Sequence, residues 1–177
     1  MLKSLTVLFF LTLTIFIYSC DDNFKPATIN SESNDMPTQE SWNSTVVFSD
    51  SGNIKAILTA GHIAMYTTKG FTLIDSGAKV EFYRDSVIVS VLTGKKGKID
   101  DKTKDIEISD SVTVVNTEGS QLKTEKLIWK NAEQKVYSDE FVRITTPDET
   151  IEGTGFESDQ NLENYKIYKV SGVFNGN

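Results

Sequence analysis

The sequence predicts an all-β protein built from antiparallel hairpins. Three observations carry this. From Lys98 to Ile144 apolar residues fall mostly two apart, and no helical stripe interrupts them. Turn signals recur roughly every ten residues. Three prolines and an apolar content of 38% fit an ordered sheet rather than a disordered chain. A meander of this kind suits a sandwich, a jelly roll or a barrel.

In chain order, strand content begins near Thr45-Val46-Val47-Phe48, and Ser49 to Asn53 is a turn. Ile54, Ala56, Leu58 and Ala60 share one parity, and Ile63 to Tyr66 continues the strand. Thr67 to Gly70 turns into Phe71-Thr72-Leu73-Ile74. Ser76-Gly77 leads to Val80 through Tyr83, and Arg84 to Ser86 leads to Val87 through Leu92. Ile106 and Ile108, then Val112 and Val114, alternate inward and outward. Asn116 to Gly119 turns the chain. Leu122 and Thr124 face one way, whereas Leu127 and Trp129 have the opposite parity, so a bulge is predicted at Glu125-Lys126. Lys130 to Glu133 turns again, and Lys135 to Ile144 returns with Val136, Val142 and Ile144. Gly153 and Gly155, in strand-like sequence, mark a bend or a close backbone approach. Tyr165 to Phe174 is a last strand whose Lys166 and Lys169 guard an edge. A weak repeat of roughly thirty residues runs through Leu58 to Gly61, Leu92 to Lys95, Leu122 to Glu125 and Ile151 to Gly155, read as one hairpin rung per copy.

The chain ahead of these strands reads as export and tethering. Lys3 gives a positive head, and Leu5 to Tyr18 is an apolar run of secretion length, short for a membrane span. Residues 1–19 are therefore expected to be a signal peptide, with a retained anchor helix as the alternative. Ile17-Tyr18-Ser19-Cys20 resembles the bacterial lipoprotein cleavage box. That resemblance implies cleavage before Cys20, a diacylglycerol on its sulfur and an acyl chain such as palmitate on its new amino group. Several acyl chains make a durable anchor where one is marginal. Asp21-Asp22 resembles either an inner-membrane retention signal or a surface-export signal, and both stand open. Residues 20–43 are polar and aperiodic, a flexible tether, and residues 44–174 form the domain.

The totals narrow the chemistry. The 177 residues carry a formal charge of −7, and an acidic domain of this kind repels nucleic acid. One cysteine excludes an internal disulfide framework and a thiolate zinc cluster. His62 is the only histidine, with no nucleophile elbow or oxyanion motif beside it. Asp100-Asp101 reads as a solvated turn rather than an acid/base pair. No phosphate loop, EF-hand or metal spacing is present. No cofactor, metal or enzymatic activity is expected.

Phe48-Ser49-Asp50-Ser51-Gly52, Leu58-Thr59-Ala60, Val80-Glu81-Phe82-Tyr83, Gly97-Lys98-Ile99-Asp100, Leu122 to Trp129, Ser138-Asp139, Val142-Arg143-Ile144 and Ile151 to Asp159 occur in an order and spacing that resemble the LptC family of lipopolysaccharide-export components, over about residues 44 to 170. Two features depart from the family pattern: the lipoprotein-like box stands where many members keep a membrane helix, and Asp148-Glu149 replaces an Asp-Gly turn. The resemblance implies a slit-open antiparallel β-jellyroll at the periplasmic face of the inner membrane, beside an ABC transporter. It implies transfer of lipopolysaccharide to an LptA-like bridge protein, with acyl chains inside the roll and strand addition at its ends. On parity the lipid-facing candidates are Leu58, Phe82, Val89, Ile108, Val114, Trp129, Val142 and Ile144; each could equally be dry core. Val46 and Val47, and Ile167 and Val170, are the candidates for partner edges. Lys95, Lys96, Lys98, Lys102 and Lys104 could meet lipid phosphates, although Asp100, Asp101 and Asp105 among them favour near-neutral turn decoration. A lipid-anchored envelope sandwich that binds glycans or another envelope protein would share the leader and the meander.

Overall fold

The computed structural model describes Met36 to Asn175. The expected signal peptide, Cys20 and the tether up to residue 35 lie outside the described residues. Ten strands run in order: β1 (Gln39–Asp50), β2 (Asn53–Tyr66), β3 (Phe71–Arg84), β4 (Val87–Gly94), β5 (Lys96–Asp100), β6 (Ile106–Asn116), β7 (Gln121–Lys130), β8 (Lys135–Thr145), β9 (Glu149–Asp159) and β10 (Tyr165–Asn175). They form one antiparallel sheet in the order β1-β2-β3-β4-β6-β7-β8-β9-β10, and β5 pairs with β3 and β6. Among the described residues, no helix is long and apolar enough to cross a membrane.

The long central strands change phase at mid-length. In β2 the inward set runs Ala56, Leu58, Ala60 and resumes at Ile63; in β7 it runs Leu122, Thr124 and resumes at Leu127, Trp129. In β3 the break falls between Ile74 and Ala78, in β6 between Ile108 and Val112, and in β8 between Ser138 and Val142. The inward side therefore steps three residues in one strand and four in its neighbour. Adjacent strands of this set then differ by one residue, and their ladders slip by one at that level. The register shifts between Ala60 and His62, Ser109 and Val112, Thr124 and Ile128, and Ser138 and Phe141 are these slips. Residues with positive φ supply the extra backbone: Ser76 (60°), Gly77 (94°), Asp110 (67°) and Ser111 (59°). The bulge predicted at Glu125-Lys126 is one member of this line. The weak repeat marks β2, β4, β7 and β9 along the same line.

Bulges bend strands, and a row of paired bulges creases the sheet. The crease leaves two facing walls. One contains β4 and the adjoining halves of the long strands; the other contains β5 and the remaining halves. Trp129 of the β5 wall packs against Phe48 and Phe82 of the β4 wall, with ring centroids 5.8 and 5.4 Å apart. One buried cluster, from Phe48 to Leu162, fills the angle between them. The fold is thus an all-β roll that stays open, because β1 and β10 end the sheet without pairing to one another.

Two expectations need correction. β1 starts at Gln39, so residues 39–43 belong to the sheet and not to the tether. Its polar residues hid it, but Gln39 pairs with Met65 and Trp42 with His62. Val89 is not an inward position of β4. Phe82 pairs with Ser90 and Tyr83 with Ile88, so Val89 is the extra residue of a bulge, half-buried at the edge of the core, while Ser90 and Leu92 face in.

Gly153 shows why β9 has no side chain there. A Cβ at Gly153 would overlap the Lys169 carbonyl oxygen and the Ile167 side chain of β10. Gly153→Ala is expected to lower stability by about 1–3 kcal/mol through overpacking, with loss of hydrogen-exchange protection concentrated in β9 and β10. Thermal unfolding with exchange mass spectrometry checks this; wild-type protection of β10 would contradict it.

Candidate functional site

A cavity of about 400 Å³ opens between the walls near the β1 edge. Val46 and Phe48 line it from the β4 wall, and Ile63, Met65, Thr72 and Ile99 from the β5 wall. Val47, Ser49, Asp101, Lys104 and Asn131 complete the lining. The volume lies in the range of small-molecule sites, and the mix of an apolar lining with a few polar groups is typical of them. Thr72 donates to Asp101 over 3.0 Å, which fixes one side of the polar rim. Asp100 accepts the backbone N–H groups of Thr103 and Lys102 at 2.8 and 2.9 Å. These bonds hold its carboxyl below the usual range and shape the turn that presents Lys104.

The lysine group is dispersed. Lys95 pairs with Asp110 at 2.9 Å, Lys98 lies over the Phe71 ring at 4.6 Å, and Asp105 is taken by Lys130 at 2.8 Å. Of the five lysines, Lys104 alone lines the cavity.

Seven of the eight parity-derived residues, Leu58, Phe82, Ile108, Val114, Trp129, Val142 and Ile144, lie in the packed core at 1% exposure or less. None of the eight lines the cavity. Parity identifies inward positions but not which of them the facing wall leaves uncovered. Ile63 and Ile99 stand beyond the crease and were legible as apolar. Their exposure to the cavity depends on the facing wall, which local sequence does not encode. Trp129 carries one further feature: its Nε1 is buried without a hydrogen-bond partner among the described residues. An unmatched buried donor costs roughly 1–3 kcal/mol.

The edges differ. In β1 Val46 is half-buried against the core and Val47 is exposed. In β10 Ile167 packs on the core, whereas Val170, Val173 and Phe174 are each 56% exposed. Val170 pairs with Gly153, and Gly155 holds φ +80° in the same β9 strand.

His62 points away from the core side of β2, where Ile63 is inward. Its Nδ1 lies 3.1 Å from both Asp75 oxygens, its Nε2 3.2 Å from Glu40, and the Trp42 ring stacks on it at 5.0 Å. The Glu40 contact lacks hydrogen-bond direction and becomes an ion pair when the imidazole is protonated. Ser76 donates to Asp75 at 2.9 Å, so its hydroxyl is not aligned with the imidazole as a nucleophile would be. The cluster joins β1, β2 and β3. Among the described residues, no group of three or more His, Cys, Asp or Glu is arranged to hold a metal.

The family model described as lipopolysaccharide-assembly, LptC-related, matches residues 5–175 of this chain. No curated protein matches it.

The Asp75 carboxylate raises the His62 pKa above its usual 6.5, with Glu40 adding to it and partial burial opposing. A folded value above the unfolded one means that this contact stabilises the fold fully below pH 6.5 and ceases to do so as pH rises through the raised value. As the single histidine, His62 should give one imidazole resonance titrating above 6.5, moved down by Asp75→Asn. An unmoved midpoint would contradict the pairing.

Proposed function

The chain belongs to the LptC family, and from that premise we propose that it accepts lipopolysaccharide from an inner-membrane ABC transporter and passes it to a periplasmic bridge protein. The family is a lipopolysaccharide-transport component of the periplasmic, inner-membrane-associated envelope, and not an enzyme family. In the proposed reading, the chain is held at the inner membrane through lipid on Cys20.

The observation that carries the proposal is the apolar cavity held between two walls at an open edge of the sheet. An acyl chain of about a dozen carbons exposed to water costs on the order of 10 kcal/mol at ~0.8 kcal/mol per methylene. A carrier must replace that water contact along the chain. Val46, Phe48, Ile63, Met65 and Ile99 offer such a surface, and Lys104 at the rim offers a cation to a phosphorylated sugar.

The two unpaired edges support transfer by strand addition. In this reading β1, through Val46 and Val47, adds to a roll carried by the transporter, and β10, through Ile167 and Val170, adds to the bridge protein. The far half of β10 is apolar on both faces at Val173 and Phe174, as suits a strand that gains a neighbour.

Two outcomes test this. A photo-reactive residue at Met65 should cross-link lipopolysaccharide, while one at outward-facing Val115 should not; equal labelling at both would contradict an internal site. Val173→Lys, at an exposed position, should leave the fold and transporter co-purification intact. It should reduce bridge-protein recovery at least several-fold, and unchanged recovery would remove β10 as the docking edge.

A further inference from the structure

The mouth of the roll, opposite the crease, is bridged by the β9–β10 loop. Gln160, Asn161 and Leu162 are only 5, 3 and 2% exposed, although loops with free polar groups belong at the surface. They leave the end of the β5 wall and bind the end of the β4 wall. Ser90 donates to the Gln160 carbonyl, and Asn116 Nδ2 donates to the Asn161 carbonyl at 2.8 Å. Arg84 donates to Asn161 Oδ1 at 2.9 Å, and Gln160 Nε2 to the Tyr83 carbonyl at 3.2 Å. Ser90 and Asn116 are inward positions that the rest of the sheet gives mostly to apolar residues.

We propose that residues 160–162 are a latch that closes the mouth, with the Leu162 side chain standing in for a lipid chain between the walls. This rests on the carrier reading, in which the space between the walls takes acyl chains. Leu162 belongs to the core cluster although it comes from a loop, and it holds φ +59°, a conformation bulky side chains disfavour. Gln160 Oε1 is buried without a partner, and Gln160 lines a second, polar cavity of about 280 Å³ beside the latch. A strained leucine and an unmatched acceptor both gain when the loop leaves. Water at the mouth replaces part of the broken bonds, so the closed state is favoured by only about 1–3 kcal/mol, the net scale of two hydrogen bonds. With the latch closed, an acyl chain has the cavity at the β1 edge and no more. With it open, the space vacated by Leu162 extends the trough.

Chain length therefore reads the state of the latch. Octanoyl and hexadecanoyl chains carrying the same fluorophore are titrated into the full chain and two variants. Ser90→Ala with Arg84→Ala removes two anchors, and Leu162→Asn removes the apolar plug while tolerating the left-handed backbone. Both should bind the hexadecanoyl probe roughly tenfold or more tighter, the scale of two lost hydrogen bonds, with little change for the octanoyl probe. Equal changes for both probes, no change for either, or no binding of either overturns the latch. Should the variants lose their fold, hydrogen exchange on the wild type decides. Peptides covering 159–164 must open more often than those of β6 and β7, and matched protection overturns the proposal. Lipopolysaccharide cross-linking from Met65 is independent of these outcomes, so a failed latch and a failed carrier reading are distinguishable.

Discussion

A creased sheet depends on its bulges being aligned. Where one strand steps three residues and its neighbour four, their ladder must slip by one, and these slips must fall at one level. The row from Ala60/His62 through Ser138/Phe141 meets this condition, and the shift between Val170 and Gly172 carries a slip into the last pair. The constraint is cooperative. Removing the extra backbone at Asp110-Ser111 would throw the inward residues on one side of β6 to the outside, because a one-residue slip reverses every side chain beyond it. The crease thus decides which of Ile108, Val112, Leu127 and Trp129 meet at all.

The crease produces a roll with an apolar angle and a mouth. In one place the walls touch, where Trp129 closes on Phe48 and Phe82. The same cross-strand rows carry polar groups at other inward positions: Thr72, beside Asp101, lies in the row of Trp129, and Ser90 and Asn116 lie in the row of Phe82. The same sequence therefore builds a dry core and an opening beside it. On the outer surface His62, held by Glu40 and Asp75, ties the start of β1 to β2 and β3. That tie steadies an edge strand whose other flank is unpaired.

The parity reversal between Thr124 and Leu127 was legible because both sides carried clear apolar residues. The same arithmetic is present between Ile74 and Ala78, where Ser76-Gly77 separates two apolar runs that belong to one continuous strand; it is a turn of the sheet rather than of the chain. The recurrence of Leu-Thr-Ala-Gly-like segments was legible too, and it marks the line of the crease. Residues 39–43 were missed because an edge strand half out in water carries few apolar residues. Val89 was misplaced because a bulge adds one residue where alternation assumes none. The lining of the cavity was not legible, since Ile63 and Ile99 differ from Ile108 only in what the opposite wall leaves uncovered. The loop at Gln160 to Leu162 has the polar composition of an ordinary surface loop, and only its partners on β3, β4 and β6 show that it is buried.

The most direct measurement of acyl-chain carriage uses a fatty acid bearing a nitroxide near its methyl end and the methyl resonances of the protein. Relaxation enhancement should fall on Ile63, Ile99 and Val46, between the walls, and spare Val87 and Val115 on the outside. Broadening confined to outward-facing methyls, or none at saturating probe, would contradict a roll that carries acyl chains within its crease.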